Sequence, residues 1–181
     1  MSADELQELH EHAEHAQHNP TLVPVTLSMA VFAVLVATVS LLGHRAHTEE
    51  VVLQNRVSDE WAYYQAKNIR RHTDELFADL TSVVSIKDAE AAAKLREKYT
   101  AEAERYRDEQ KELDAEARKL EQETALERRR ADRYDLGEVF LEIALVITSI
   151  TLLSGRRGFW YAGIVMGIAG VAVAVTGLLI H

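Results

Sequence analysis

Charge is distributed very unevenly along the chain. Residues 21–43, 136–154 and 158–180 are almost free of charged side chains, whereas residues 44–135 hold 18 of the 20 Lys and Arg and 22 of the 29 Asp and Glu. Each apolar run approaches or exceeds the roughly 20 residues a helix needs to cross a hydrocarbon core about 30 Å thick. Only a helix satisfies its own backbone there, so the pattern predicts three transmembrane helices. An acidic amino tail free of Lys and Arg precedes the first run, which is too long for the apolar region of a signal peptide, so it reads as a retained anchor. The segment Ser154-Gly155-Arg156-Arg157-Gly158 leaves room only for a tight turn between the last two crossings, and Phe159, Trp160 and Tyr161 form an aromatic belt beside it.

The charged insert is helical by the same reasoning. Between Glu90 and Asp135 there is no Gly or Pro, and Ala, Glu, Lys, Arg and Leu dominate. Tyr99, Tyr106, Leu113 and Leu120 recur every seven residues, and Ala103, Gln110, Ala117, Thr124 and Ala131 recur every seven on the neighbouring line, which predicts a coiled-coil seam of large and small positions. Upstream, Val51, Val57, Trp61, Tyr64, Ile69, Leu76 and Leu80 recur at spacings near 3.6, predicting a helix that continues the first crossing. The reversal falls around residues 80–88, where Ser85 or Asp88 can cap a new helix. The expected fold is an all-α membrane protein: three transmembrane helices, with a long antiparallel helical hairpin, a coiled-coil stalk, inserted between the first and second. Its parts are an acidic His-rich tail over 1–20, crossings over 21–43, 136–154 and 158–180, and the stalk over 44–135.

Composition narrows the chemistry. The 181-residue chain contains no Cys, which excludes disulfides, thiol nucleophiles and Cys-based zinc sites. A net charge of -9, with basic residues interleaved among acidic ones, argues against nucleic-acid binding. The positive groups near the membrane ends belong mostly to the insert, which places the insert and carboxyl terminus in the cytoplasm and the amino terminus outside.

The stretch DEWAYYQAKNI at 59–69, preceded by HRAHTE at 44–49, resembles an uncharacterised bacterial membrane family, the domain of unknown function 4337. Asp59, Trp61, Ala62, Tyr63, Tyr64, Gln65, Ala66 and Lys67 carry the match. The resemblance spans nearly the whole chain and implies a bacterial inner-membrane setting. It brings no activity and no catalytic residue with it.

Several residues invite a chemical reading. Glu142 lies six residues inside the second apolar run, and Glu138 stands one turn before it. An ionised carboxylate in a membrane is costly, so both are expected to face protein or water, with Ser40, His44, Arg45 and His47 as candidate partners. Gly163, Gly167, Gly170, Ala174 and Gly177 form a groove of small residues for close helix packing. His12, His15 and His18 alternate with Glu8, Glu11 and Glu14 and offer ligands to a divalent transition metal ion, although one helix alone does not close a coordination shell. Arg128, Arg129, Arg130 and Arg133 are placed to contact anionic lipid; Trp61 and Tyr64 fit the stalk core, and docking of a cytoplasmic partner by Trp61, Tyr63 and Tyr64 is the less favoured alternative. Neither a phosphate-binding Gly loop nor a nucleophile elbow nor a zinc-protease motif occurs, so no enzyme and no cofactor is expected. The functional expectation is a homo-oligomeric inner-membrane scaffold or interaction protein. Its rival is a cation channel or transporter subunit using Glu142, and a weaker third reading is metal sensing by the amino tail.

Overall fold

The computed structural model describes residues 22–84 and 88–180. Three helices account for nearly all of them: α1 over Val23–Val83, α2 over Ala89–Ser154 and α3 over Arg157–Leu178. No strand occurs among the described residues. Pro24 sits in the first turn of α1, where a missing N–H leaves no helical bond unmade. Asp88 caps α2, its Oδ1 accepting from the N–H groups of Glu90 and Ala91 at 3.1 Å each. The other candidate cap, Ser85, lies outside the described residues. Gly155, at φ 65°, ends α2 in the left-handed conformation that glycine adopts without penalty, and its N–H bonds the Thr151 carbonyl at 2.9 Å. Each of the three helices contains a stretch long and apolar enough to cross a membrane.

The chain divides into two compact units, Met1–Glu50 with Leu126–His181, and Val51–Ala125. In the first, α1 buries Val25, Met29, Phe32, Val39 and Ala46, and α2 buries Ala131, Tyr134, Leu141 and Ala144. These residues surround the small-residue line of α3, and all five of its members are buried. A Cβ added to Gly170 would stand 2.9 Å from the Gly137 carbonyl oxygen and 2.9 Å from Leu141 Cγ, so α2 and α3 meet backbone to backbone there. Gly163 packs against Thr148 and the Ala144 carbonyl, Gly167 against the Phe32 ring, and Gly177 against Tyr134. The groove is therefore filled by the chain's own α1 and α2. Polar contacts fasten both ends of α3: Trp160 Nε1 donates to Ser28 Oγ at 3.0 Å, and Arg130 donates from Nε and Nη2 to the Ile180 carbonyl at 3.0 and 2.8 Å.

In the second unit, α2 buries the predicted small line of Ala103, Gln110, Ala117 and Thr124. Tyr106 is buried as well, while Tyr99, Leu113 and Leu120 are half-buried beside that line. Contacts between the helices include Trp61 with Glu121, Lys67 with Glu109, Glu75 with Arg107, and Phe77 stacked on Tyr99. Their numbers rise along α1 as they fall along α2.

The inner face of α1 differs from the expected line. Leu53, Val57 and Ala78 are buried, with Tyr64, Lys67 and Arg71 half-buried between them. Val51, Ile69, Leu76 and Leu80 instead point outward, with exposures of 60%, 67%, 59% and 44%. The physical reason is a strict 3.5-residue period that accepts Lys67 and Arg71 inward. Glu109 pairs with Lys67, and Asn68 Oδ1 accepts from Arg71 at 3.1 Å.

Replacing Gly170 with Val places branched carbons against the Gly137 carbonyl and Leu141. The expected destabilisation is about 1–3 kcal/mol, as for other overpacked cores. Gly158→Ala, where an added Cβ meets nothing within 4 Å, should be neutral or stabilising by up to about 1 kcal/mol through helix propensity. Thermal unfolding in detergent, followed by circular dichroism, separates the two; equal effects would contradict the close approach.

Candidate functional site

The residues of the 59–67 motif lie on successive faces of α1. Trp61 is half-buried, donates from Nε1 to Glu121 Oε1 at 2.9 Å and packs edge-on against Tyr64 at 5.4 Å. Lys67 Nζ reaches Glu109 at 2.5 Å and lies 5.2 Å from the Tyr63 ring centre and 5.0 Å from that of Tyr106. Arg105 covers the Tyr106 ring at 4.9 Å. The Glu109 carboxylate is the main cause that raises the Lys67 ammonium above its ordinary pKa, with Tyr63 adding to it. Together these groups form a clasp of a cation between two rings, closed by a carboxylate from the opposite helix. Tyr63, at 52% exposure, leaves one face open to solvent. The interlocking of Trp61 and Lys67 with α2 makes the motif chiefly a register device, because an ion pair at a seam position penalises every shifted alignment.

At the polar end of the apolar bundle, α1 and α2 are joined by charge. His47 Nε2 bonds Asp135 Oδ2 at 2.9 Å, His47 Nδ1 lies 3.5 Å from Glu50, and Arg128 lies 4.0 Å from Glu50. The Asp135 carboxylate, followed by Glu50, raises the His47 pKa against the opposing cost of burial. Sequence reasoning paired His47 with Glu138 or Glu142, but the carboxylate it meets is Asp135, one turn before Glu138.

Glu142 is exposed on the outside of the bundle, and Glu138 is half-buried. Neither forms an ion pair or side-chain hydrogen bond among the described residues, and Ser40, His44, Arg45 and His47 do not reach them. His44 bonds the Ser40 carbonyl of its own helix at 3.0 Å. Asp135, Glu138 and Glu142 follow one another at steps of three and four residues, forming a line of carboxylates that runs along α2 into its apolar stretch.

The basic cluster divides by role. Arg130 is committed to Glu127 and to the Ile180 carbonyl, where a guanidinium satisfies the open end of α3. Arg128 pairs with Glu50, and the Cβ of Arg133 packs near Gly177. Arg129 is exposed. His12, His15 and His18 lie outside the described residues. Among the described residues no group of three metal-ligating side chains converges.

Residues 21–180 match the family described as a domain of unknown function (DUF4337). The chain belongs to that family. No curated protein and no solved structure matches it. Family membership therefore covers both units, including the clasp at Lys67 and the small-residue line of α3, and carries no assigned chemistry.

Two predictions follow from these contacts. Glu109→Gln strands the Lys67 ammonium between rings and should cost about 1–3 kcal/mol, whereas Lys67→Met keeps the packed stem and should cost less. The reverse order in urea unfolding would refute the clasp. For His47, a raised folded pKa means that its contribution is fully present below the ordinary value of 6.5 and is lost as pH rises through the folded value. Asp135→Asn should therefore lower the melting temperature at about pH 6 and have little effect at about pH 9. A pH-independent difference would remove His47 from the interaction.

Proposed function

We propose that the chain is a self-associating membrane scaffold and not an enzyme. Its apolar stretches form three crossings, and its polar α1–α2 pair forms an antiparallel coiled-coil hairpin that meets a second copy. One observation carries this reading: α1 has a second apolar stripe facing outward. Ile69, Thr73, Leu76, Leu80 and Val83 recur at steps of four, three, four and three, and all are exposed, Val83 at 81%. Ala62 and Ala66 extend the same line upstream. Such spacing is an a/d seam left uncovered among the described residues, in a segment too charged to lie within lipid. The hydroxyl of Thr73 already bonds the Ile69 carbonyl at 2.8 Å, so this position can be covered without stranding a polar group.

A second copy fits the stripe. Copies inserted the same way run parallel, and in a parallel pair the flanking contacts are Gln65 with Arg70, His72 with Phe77 and Asp79 with Val84. None sets like charges together. The preponderance of basic residues near the membrane ends of the insert supports a cytoplasmic hairpin with the amino terminus outside, in the inner membrane of a bacterium. The assembly sits among anionic lipids, which exposed Arg129 can contact, and the hairpin surface around Tyr63 remains open to a cytoplasmic protein partner.

Because the chain has no Cys, single substitutions report cleanly. Leu76→Cys and Leu80→Cys should form disulfide-linked dimers when membranes are oxidised, since equivalent a and d positions face each other in a parallel pair. Glu104→Cys, on the exposed surface of α2, should not. The mass of the complex released from lipid nanodiscs supplies the subunit count. A monomer would overturn the scaffold reading, and crosslinks at residue 104 alone would move the interface.

A second reading rests on Glu142, a carboxylate standing outward beside exposed Val139, Ile143 and Val146. In a ring of several chains these carboxylates would select cations. Glu142→Gln should then abolish cation flux in liposomes without altering assembly, and equal flux in both proteins would remove the channel reading.

A further inference from the structure

At the charged end of the apolar unit, α1, α2 and α3 border an open groove of about 350 Å³. Every residue around it belongs to that one unit. Its apolar lining is Leu42 and Ala46 from α1 with Gly177 and Leu178 from α3. Its polar lining is two guanidiniums, two carboxylates and a phenol: Arg45 and Glu49 from α1, and Glu127, Arg130 and Tyr134 from α2. The formal charges cancel, so the groove complements a ligand that carries both signs better than a simple anion or cation.

Two of the four charges are already engaged. Arg130 pairs with Glu127 and donates to the Ile180 carbonyl, which fixes that side as a wall. Arg45 and Glu49 form no ion pair among the described residues, although they stand one turn apart on α1, about 6 Å along its axis. Both are exposed, so neither gives up a partner to meet a ligand.

Tyr134 supplies the independent observation. The residue is only 5% exposed. Its Cε1 and Cζ lie 2.9 and 3.2 Å from where a Cβ on Gly177 would stand, so the hydroxyl-bearing end of the ring is at the α3 wall of the groove. The buried polar atoms left without a partner are Arg71 Nε, Gln110 Nε2 and Thr151 Oγ1. The Tyr134 hydroxyl is not one of them, yet it makes no hydrogen bond among the described residues, so it is both unpaired and open. A buried phenol with an open, unpaired hydroxyl at a charged groove calls for a polar group of a ligand there.

We infer that this groove binds the phosphoethanolamine headgroup of a membrane phospholipid, its phosphate meeting Arg45 and the Tyr134 hydroxyl and its ammonium meeting Glu49. A two-carbon link holds the two charges of that headgroup about one helical turn apart, as Arg45 and Glu49 are held. Leu42, Ala46 and Leu178 supply apolar surface for the glycerol and first acyl carbons. The site rests on the reading of the apolar stretches as membrane crossings, which puts their charged ends at headgroup depth. Free glycerophosphoethanolamine would satisfy the same charges and leave the apolar lining uncovered.

The test uses the full chain in nanodiscs holding equal parts of phosphatidylethanolamine, phosphatidylcholine and phosphatidylglycerol, with retained lipids identified by mass spectrometry after release. A chain that fails to enter nanodiscs would overturn the crossings themselves, and the site with them. The wild-type chain should retain phosphatidylethanolamine about tenfold over phosphatidylcholine, whose ammonium has no N–H to donate, the scale of one charge-assisted hydrogen bond. Glu49→Gln should bring the two close to parity. Arg45→Gln should lower retention of both by about tenfold, because the phosphate is common to them. Tyr134→Phe should lower both by a few-fold, in keeping with one lost hydrogen bond. Arg129→Gln, exposed near the same end but outside the groove, should change neither. No retained lipid, enrichment of phosphatidylglycerol, a preference that survives Glu49→Gln, or equal losses with Arg45→Gln and Arg129→Gln would overturn the site. Displacement of the lipid by free glycerophosphoethanolamine at comparable concentration would overturn the lipid assignment in favour of a free zwitterion.

Discussion

The backbone contact between Gly137 and Gly170 governs the apolar unit. With no side chain on either residue, the carbonyl of each comes to about 3.0 Å from where a Cβ on the other would stand. The apolar stretches suit lipid, where helices gain little from hiding apolar surface and such closeness supplies van der Waals contact that longer side chains would forbid. It also uses up the small-residue line. Phe32 fills the step at Gly167 and Tyr134 the step at Gly177, so α3 presents Val165, Ile168, Val175 and Leu178 outward. Those large side chains suit acyl chains. The proposed self-association therefore draws on another surface, the outward stripe of α1, and not on the glycines.

The polar unit distributes its residues in the opposite sense to a simple coiled coil. Its inner seam accepts Lys67, Arg71, Gln110 and Thr124, while Ile69, Leu76, Leu80 and Val83 lie outside. Polar seam positions lower stability but penalise misalignment, since a shifted register would bury Lys67 without Glu109. The buried Ala103 and Ala117 let the helices approach between those polar positions. The proposed self-association gives that apolar exterior a use, as a second seam.

Much of this arrangement was legible in the sequence. The three apolar runs, the sevenfold lines on α2, the Asp88 cap and the small-residue line all follow from spacing and residue type alone. Three things were not. Gly137 stands isolated in its helix, and nothing local marks it as the counterpart of Gly170. Arg130 belonged to a run of arginines whose obvious use was lipid contact, and its carbonyl partner at Ile180 is fifty residues away. The inner and outer stripes of α1 were merged into one line, because counting apolar residues assigns Ile69, Leu76 and Leu80 to the core. Only the partner helix, through Glu109, shows that Lys67 takes that place. Trp61 and Tyr64 of the motif, read from spacing as stalk core, are half-buried there, and Trp61 is engaged by Glu121.

Each unit thus carries one feature that is unfavourable in a solitary chain. In the polar unit it is an apolar a/d stripe open to water; in the apolar unit it is Glu142, open to whatever surrounds the bundle. Asp135 lies seven residues before Glu142, about 10 Å along the helix, and engages His47 there, so that imidazole does not reach the deeper carboxylate. Burying the stripe gains about 1.5–3 kcal/mol for each large aliphatic side chain fully covered. In the proposed self-association that gain is made within the polar unit, whereas Glu142 belongs to the apolar unit and would need a contact of its own.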